Sequence, residues 1–143
     1  MANHGSIVEI HLLTNTFKLW IMTVTDKKYI LLIDDDADVL KLLEIKLLRE
    51  GYQVKTLLHG FDLLDTVSES RPDLIVMDVN MPYIAGSALC KILKNNASTA
   101  TVPIIMFSGN ENVEKISSTC GADGFLTKPC DPASLVTAVR SYF

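Results

Sequence analysis

Cysteine is scarce in this 143-residue chain and occurs an odd number of times, at Cys90, Cys120 and Cys130, with no CxxC or other zinc spacing. No disulfide framework follows from these three, so a reducing, cytoplasmic compartment is the expectation. A surplus of positive charge is also missing. Thirteen Lys and Arg against 17 Asp and Glu leave a net charge of −4, which offers no basic footprint for nucleic acid or an anionic membrane. There is no repeat, low-complexity tract or Ser/Gly-rich linker. No GxGxxG or Walker A loop follows the first strand-like run, which argues against a flavin or nucleotide carrier. No uninterrupted membrane-length apolar run exists either. Residues 7–24 come nearest, but Glu9, His11 and Lys18 interrupt them, and neither a basic leader nor a small-residue cleavage site frames them. That segment fails both as a spanning helix and as a signal peptide.

What remains is ordinary for one soluble globular domain: 48% hydrophobic and 21% charged residues, in a chain long enough to bury a core. From residue 27 onward, short apolar runs alternate with helical periods. Tyr29-Ile-Leu-Leu-Ile33 is a continuous apolar run ending in three aspartates, as befits a strand buried on both faces. Residues 37–50 carry Val39, Leu40, Leu43 and Leu47 in a helical stripe, with Asp36 as N-cap and Gly51 just past the end. Residues 52–57 read as a strand, and 61–69 as a helix with Leu64 and Val67 inward. Pro72 opens a third apolar run, residues 74–77, closed by Asp78. Residues 86–95 give a helix with Leu89, Ile92 and Leu93 on one side. Pro103 precedes the run 104–107, which ends at Ser108-Gly109. Residues 112–120 form a weaker helix, residues 123–126 a short strand closed by Thr127-Lys128-Pro129, and Pro132 opens a last helix over 132–142.

Five strand-then-helix units predict a parallel sheet covered by helices on both faces. Parallel strands share the direction of their carboxyl ends, and ligands bind at that edge. Asp34/Asp35, Asp78, Ser108 and Lys128 close the first, third, fourth and fifth runs, so all converge on one rim. Carboxylates crowded together repel, and a hard divalent cation with oxygen ligands relieves them; Mg²⁺ is the natural candidate, with Mn²⁺ as an alternative. A neighbouring lysine can pair a carboxylate or a phosphoryl oxygen, and a serine hydroxyl can donate to the same oxygens. One carboxylate can then act as nucleophile, because phosphoryl transfer is largely positioning and charge neutralisation. The competing explanation makes the aspartates helix caps and turn residues. It suffices for Asp36 and Asp131, and Asp38 is a solvated helix residue. It does not explain why Asp34, Asp35, Asp78 and Lys128 each follow an apolar strand.

The segments Ile30-Leu-Leu-Ile-Asp-Asp-Asp36, Asp73-Leu-Ile-Val-Met-Asp-Val-Asn-Met-Pro82, Pro103-Ile-Ile-Met-Phe-Ser-Gly109 and Gly121-Ala-Asp-Gly-Phe-Leu-Thr-Lys-Pro129 together resemble the receiver domain of two-component response regulators. The resemblance spans about residues 28–143. It implies a flavodoxin-like (βα)₅ fold with sheet order 2-1-3-4-5. It also implies Asp78 as the residue phosphorylated by a sensor histidine kinase or phosphotransfer protein. By the same resemblance Asp35 is a direct Mg²⁺ ligand, Asp34 acts largely through water, and Asn80 offers its backbone carbonyl. Ser108 would hydrogen-bond the acyl phosphate, and Lys128 would pair with Asp78 and then with the phosphoryl group. Pro129 fits the family's cis peptide. Phe125 matches the aromatic switch position, turning inward as Ser108 moves and biasing the face made by the fourth helix, fifth strand and fifth helix toward a downstream protein. The alternative for Phe125 is an ordinary core aromatic.

Several features depart from that pattern. Ala85-Gly86 stands where Asp-Gly is common, with Gly86 keeping the backbone role. Cys130 replaces a Phe, as a small buried hydrophobe or a redox-sensitive thiol; Cys90 and Cys120 are read as helix residues of the bland kind, and His59 as a loop residue. Residues 1–27 form an N-terminal extension, with Met22 as an alternative natural start. The extension is either an upstream or artificially added segment, or a functional element whose apolar surface needs a partner; a hairpin around Thr14-Asn15-Thr16 and a helix are both open. No segment follows the last helix, so no output domain is expected in this chain. It would act by docking to another protein, a second copy of itself among the candidates, or by passing its phosphoryl group on. A haloacid-dehalogenase-type phosphatase would want a second Asp two residues after the nucleophile, where this chain has Asn80. A binding-only, degenerate receiver is disfavoured by the complete acidic pair, Asp78, Ser108 and Lys128. A phosphoacceptor rather than a turnover enzyme is the expectation.

Overall fold

In a computed structural model of the protein, residues 14–19 and 27–143 are described. From residue 27 the chain alternates β1 (Tyr29–Ile33), α1 (Ala37–Arg49), β2 (Gln53–Leu57), α2 (Leu63–Ser70), β3 (Leu74–Met77), α3 (Gly86–Asn95), β4 (Ile104–Ser108), α4 (Val113–Cys120), β5 (Gly124–Thr127) and α5 (Pro132–Arg140). All paired strands are parallel, in the order β2-β1-β3-β4-β5. This is the flavodoxin-like arrangement expected above.

The central strands β1, β3 and β4 are apolar throughout, except for Ser108 at the end of β4, because the sheet is covered twice. Side chains alternate between the faces. Leu31, Ile33, Ile75, Met77, Ile104 and Met106 pack under α2, α3 and α4, whereas Ile30, Leu32, Leu74, Val76, Ile105 and Phe107 pack under α1 and α5. Helix α1 buries Leu40, Leu43 and Leu47. Its first turn is capped by Asp36 Oδ1, which accepts from the N–H groups of Asp38 (2.9 Å) and Val39 (3.3 Å), and Gly51 follows its end at φ +93°. Asp131 caps α5 by accepting the Ser134 N–H at 2.7 Å, with Pro132 in the first turn.

Two inward assignments change. A separate 3₁₀ turn occupies Gly60–Asp62, so α2 begins at Leu63 and buries Leu63, Thr66 and Val67, leaving Leu64 exposed. In α3 the buried residues are Gly86, Leu89, Cys90 and Leu93. Ile92 is exposed, since two positions beyond Cys90 is about 200° around the helix. Ahead of the sheet, residues 14–19 are helical, where the hairpin would have turned; Val8, Ile10, Leu12 and Ile21 lie outside the described residues. No helix among the described residues is long and apolar enough to cross a membrane.

The amino edge of the sheet is held by side chains. Tyr29 N–H donates to Asp73 Oδ2 at 2.8 Å. Lys94 Nζ reaches Asp123 Oδ2 at 2.7 Å and the carbonyl of Val102 at 2.8 Å, and Asp123 Oδ2 also accepts the Ile104 N–H at 2.8 Å. At the same edge the Lys28 ammonium lies 5.5 Å from the Phe143 ring, which in turn sits 5.8 Å from that of Tyr52.

Candidate functional site

At the opposite, carboxyl edge, β1 and β3 pair with Ile33 beside Met77. The next residues, Asp34 and Asp78, therefore emerge side by side. Their backbones continue the sheet: Asp78 N–H donates to the Ile33 carbonyl (2.9 Å) and Asp34 N–H to that of Leu57 (3.2 Å). On the other side Ser108 pairs with Thr127, and Lys128 N–H donates to the Ser108 carbonyl at 2.9 Å. The Lys128–Pro129 peptide is cis, as the resemblance implied.

Asp34, Asp35 and Asp78 each offer a carboxylate oxygen, all within 4.8 Å of one another. Asp34 (3% exposed) and Asp78 (6%) are buried, and Asp35 is exposed. Lys128 Nζ bridges the two buried acids, 2.5 Å from Asp34 Oδ2 and 3.6 Å from Asp78 Oδ2. It also lies 5.1 Å from the centroid of Phe107. Burial pushes the Asp78 carboxyl above its ordinary value; Lys128 pulls it down, and the charges of Asp34 and Asp35 push it up again. Burial alone would lower the Lys128 ammonium, but its hydrogen bond to Asp34 and the charges of Asp78 and Asp34 outweigh it, and the net shift is upward. One ammonium thus faces three carboxylates, an imbalance that invites a further cation. The donor set is all oxygen, with no His or Cys, so a hard divalent ion fits it and a soft metal does not.

The principal partner of Lys128 is Asp34 rather than Asp78. The Asp34 carboxylate is also engaged by its own loop, its Oδ1 accepting the Asp36 N–H at 2.9 Å. Asn80 lies just beyond the cluster, its N–H donating to Asp78 Oδ1 at 3.3 Å. Ser108 is buried at the end of β4, and its hydroxyl accepts the Asn110 N–H at 3.2 Å rather than touching a rim carboxylate. Phe125, one strand over, is 40% exposed; its ring faces outward and it is not a core aromatic. Cys90 and Cys120 are buried, and Cys130 packs in part against the α1–α5 core. His59 precedes the 3₁₀ turn as a loop residue.

Three participants are not evident from the sequence. Gly86 packs so closely on the loop after β3 that a Cβ there would lie 1.8 Å from the Asp78 carbonyl oxygen; the sequence marks the glycine but not this contact. Phe107, under the Lys128 ammonium, is signalled only by an aromatic directly before Ser108. Tyr83, 86% exposed with φ +70°, packs its ring against that of Phe61, centroids 5.5 Å apart and planes tilted by 39°, and no local pattern announces that pairing.

Sheet order and rim chemistry define a doubly wound α/β domain whose polar cluster is concentrated at one sheet edge. Residues 30–140 match the family model of the response regulator receiver domain, and the chain belongs to that family. It is 37% identical over 114 residues to the transcriptional regulatory protein PrrA of Mycobacterium tuberculosis, covering 78% of this chain and 48% of PrrA. It is 29% identical to protein PilG of Pseudomonas aeruginosa, covering 82% and 89% respectively. The chain thus spans about half the length of the transcriptional regulators it matches. Among solved structures it is similar to the chemotaxis response regulator CheY4 of Vibrio cholerae (TM-score 0.76, 28% identity, 82% of this chain and 99% of that one). A putative response regulator from Chloroflexus aurantiacus aligns equally well (TM-score 0.77, 32% identity, 81% and 97%). Receiver domains are signalling domains, not turnover enzymes on external substrates.

Proposed function

We propose that the protein is a phosphoryl-accepting switch in two-component signalling, with Asp78 taking the phosphoryl group from a phosphohistidine of a sensor histidine kinase or phosphotransfer protein. One observation carries it: the three carboxylates within 4.8 Å of one another at the rim, bridged by Lys128. An Asp78 carboxylate oxygen attacks phosphorus, an O–P bond forms as the N–P bond breaks, and the imidazole leaves and recovers a proton. Asp34, Asp35, Asp78 and the Asn80 backbone carbonyl would hold Mg²⁺, or Mn²⁺ in its place. A bound divalent ion there supplies charge neutralisation for the crowded carboxylates and the incoming phosphoryl oxygens. Lys128 exchanges part of its pairing with the acids for a phosphoryl oxygen, and the Ser108 hydroxyl leaves Asn110 to donate to another.

Movement of Ser108 vacates space beside β5, and Phe125 turns inward from its exposed position. That changes the α4–β5–α5 surface presented to a downstream protein or a second copy of the chain. Three unpaired thiols support a reducing, cytoplasmic setting. The test is Mg²⁺-dependent labelling by acetyl phosphate, abolished by Asp78→Ala. A wild-type chain that binds Mg²⁺ but takes no label would overturn the assignment.

A further inference from the structure

Helices α3 and α4 lie side by side on one face of the sheet, and the seam between them is a groove of about 520 Å³. Its lining is mostly apolar, with Ala88, Ile116 and Cys120 contributing, and Lys91 and Lys115 line it as well, one from each helix. Both lysines are exposed, and neither has an acidic partner among the described residues. The rest of the chain carries a net negative charge. Two cations without acidic partners beside a mostly apolar lining are therefore complementary to an occupant with an apolar body and a negative head. The volume falls within the range that holds a small molecule, about 300–1,000 Å³.

We propose that the α3–α4 groove is a second binding site, distinct from the acidic rim, for a small amphipathic anion: a carboxylate, phosphate or sulfonate on an apolar body. The apolar part lies on Ala88 and Ile116, and Lys91 and Lys115 hold the charge. Long lysine stems also cover the apolar body while their ammonium groups stay hydrated. Because the charges are exposed, salt screens their contribution, and binding weakens as ionic strength rises.

The probe is 1-anilinonaphthalene-8-sulfonate, titrated by fluorescence into the full chain, beside the uncharged N-phenyl-1-naphthylamine. Saturable sulfonate binding is expected, at least tenfold tighter than that of the neutral compound. The double variant Lys91→Glu/Lys115→Glu should weaken the sulfonate at least tenfold and leave the neutral compound within twofold. Ala88→Trp, which fills the groove from an exposed helix position, should remove both. Far-UV circular dichroism establishes that the variants fold. Absence of binding, or sulfonate binding indifferent to both variants, overturns the proposal. So does binding that declines as the chain self-associates with concentration, which would make a second copy the occupant. Asp78 labelling plays no part in these readouts, so the groove and the rim stand or fall separately.

Discussion

Replacing Gly86 with alanine tests how tightly the loop after β3, which carries Asp78, is built into the fold. The added Cβ would start 1.8 Å from the Asp78 carbonyl oxygen and 2.9 Å from its carbon, and must retreat beyond 3.0 Å. Neither side yields easily. Asp78 is tied to the central strand through Ile33 at 2.9 Å, and Gly86 N–H is tied to the Val79 carbonyl at 2.8 Å. Overpacking ordinarily costs about 1–3 kcal/mol, and a rigid backbone neighbour places this case near the upper end. Alanine recovers at most about 1 kcal/mol of helix propensity over glycine, and less at the first helical residue. The net loss is on the order of 2 kcal/mol, which lowers a urea midpoint by about 1 M at a typical slope for a small domain. Gly51→Ala is the control. Nothing lies within 4 Å of its added Cβ, so only its left-handed backbone matters, at about 1 kcal/mol. Urea unfolding followed by far-UV circular dichroism measures both. A Gly86→Ala midpoint within about 0.2 M of wild type, at unchanged slope, would refute the reasoning.

Two further outcomes follow from the rim. Mg²⁺ at ten times its Kd should add about 1.4 kcal/mol to the unfolding free energy, and Asp35→Ala should remove that increment; a urea midpoint indifferent to Mg²⁺ would count against the cation site. Lys128 at the rim and Tyr142, half-buried against the α1–α5 core away from it, both titrate above their ordinary values of 10.5 and 10.0 in the folded chain, Tyr142 chiefly through burial, so the native state retains protons that the unfolded state gives up. The associated stability is complete below those unfolded values and is lost as pH rises through the higher folded ones. The urea midpoint should therefore hold as pH approaches 10.0 and fall beyond it, with a shallower fall in Lys128→Met.

Strand positions were legible because a parallel strand buried on both faces has no polar residue to confuse its limits. β1 and β3 begin and end where their apolar runs do. Asp36, Gly51, Asp131 and Pro132 marked helix ends because capping chemistry is local. Inward faces were less legible. Leu64 and Ile92 suit a helical stripe as well as Leu63 and Cys90 do, and only the angle at which each helix meets the sheet decides between them. The rim was visible as residue types at strand ends, but not as a network. Whether Lys128 leans on Asp34, at 2.5 Å, or on Asp78, at 3.6 Å, is set by placement across neighbouring strands, and the contact of Tyr83 with Phe61 joins two loops that no spacing rule connects.

The contact of Lys28 with Phe143 has a consequence for how such a domain can be combined with others. Lys28, just before β1, and Phe143, just after α5, meet on the amino edge, a cation and a ring 5.5 Å apart. The backbone runs into β1 and out of α5 on the side of the sheet away from Asp34, Asp78 and Lys128. The domain is in this sense a plug-in unit: it connects through one side of the sheet and presents its acidic cluster on the other.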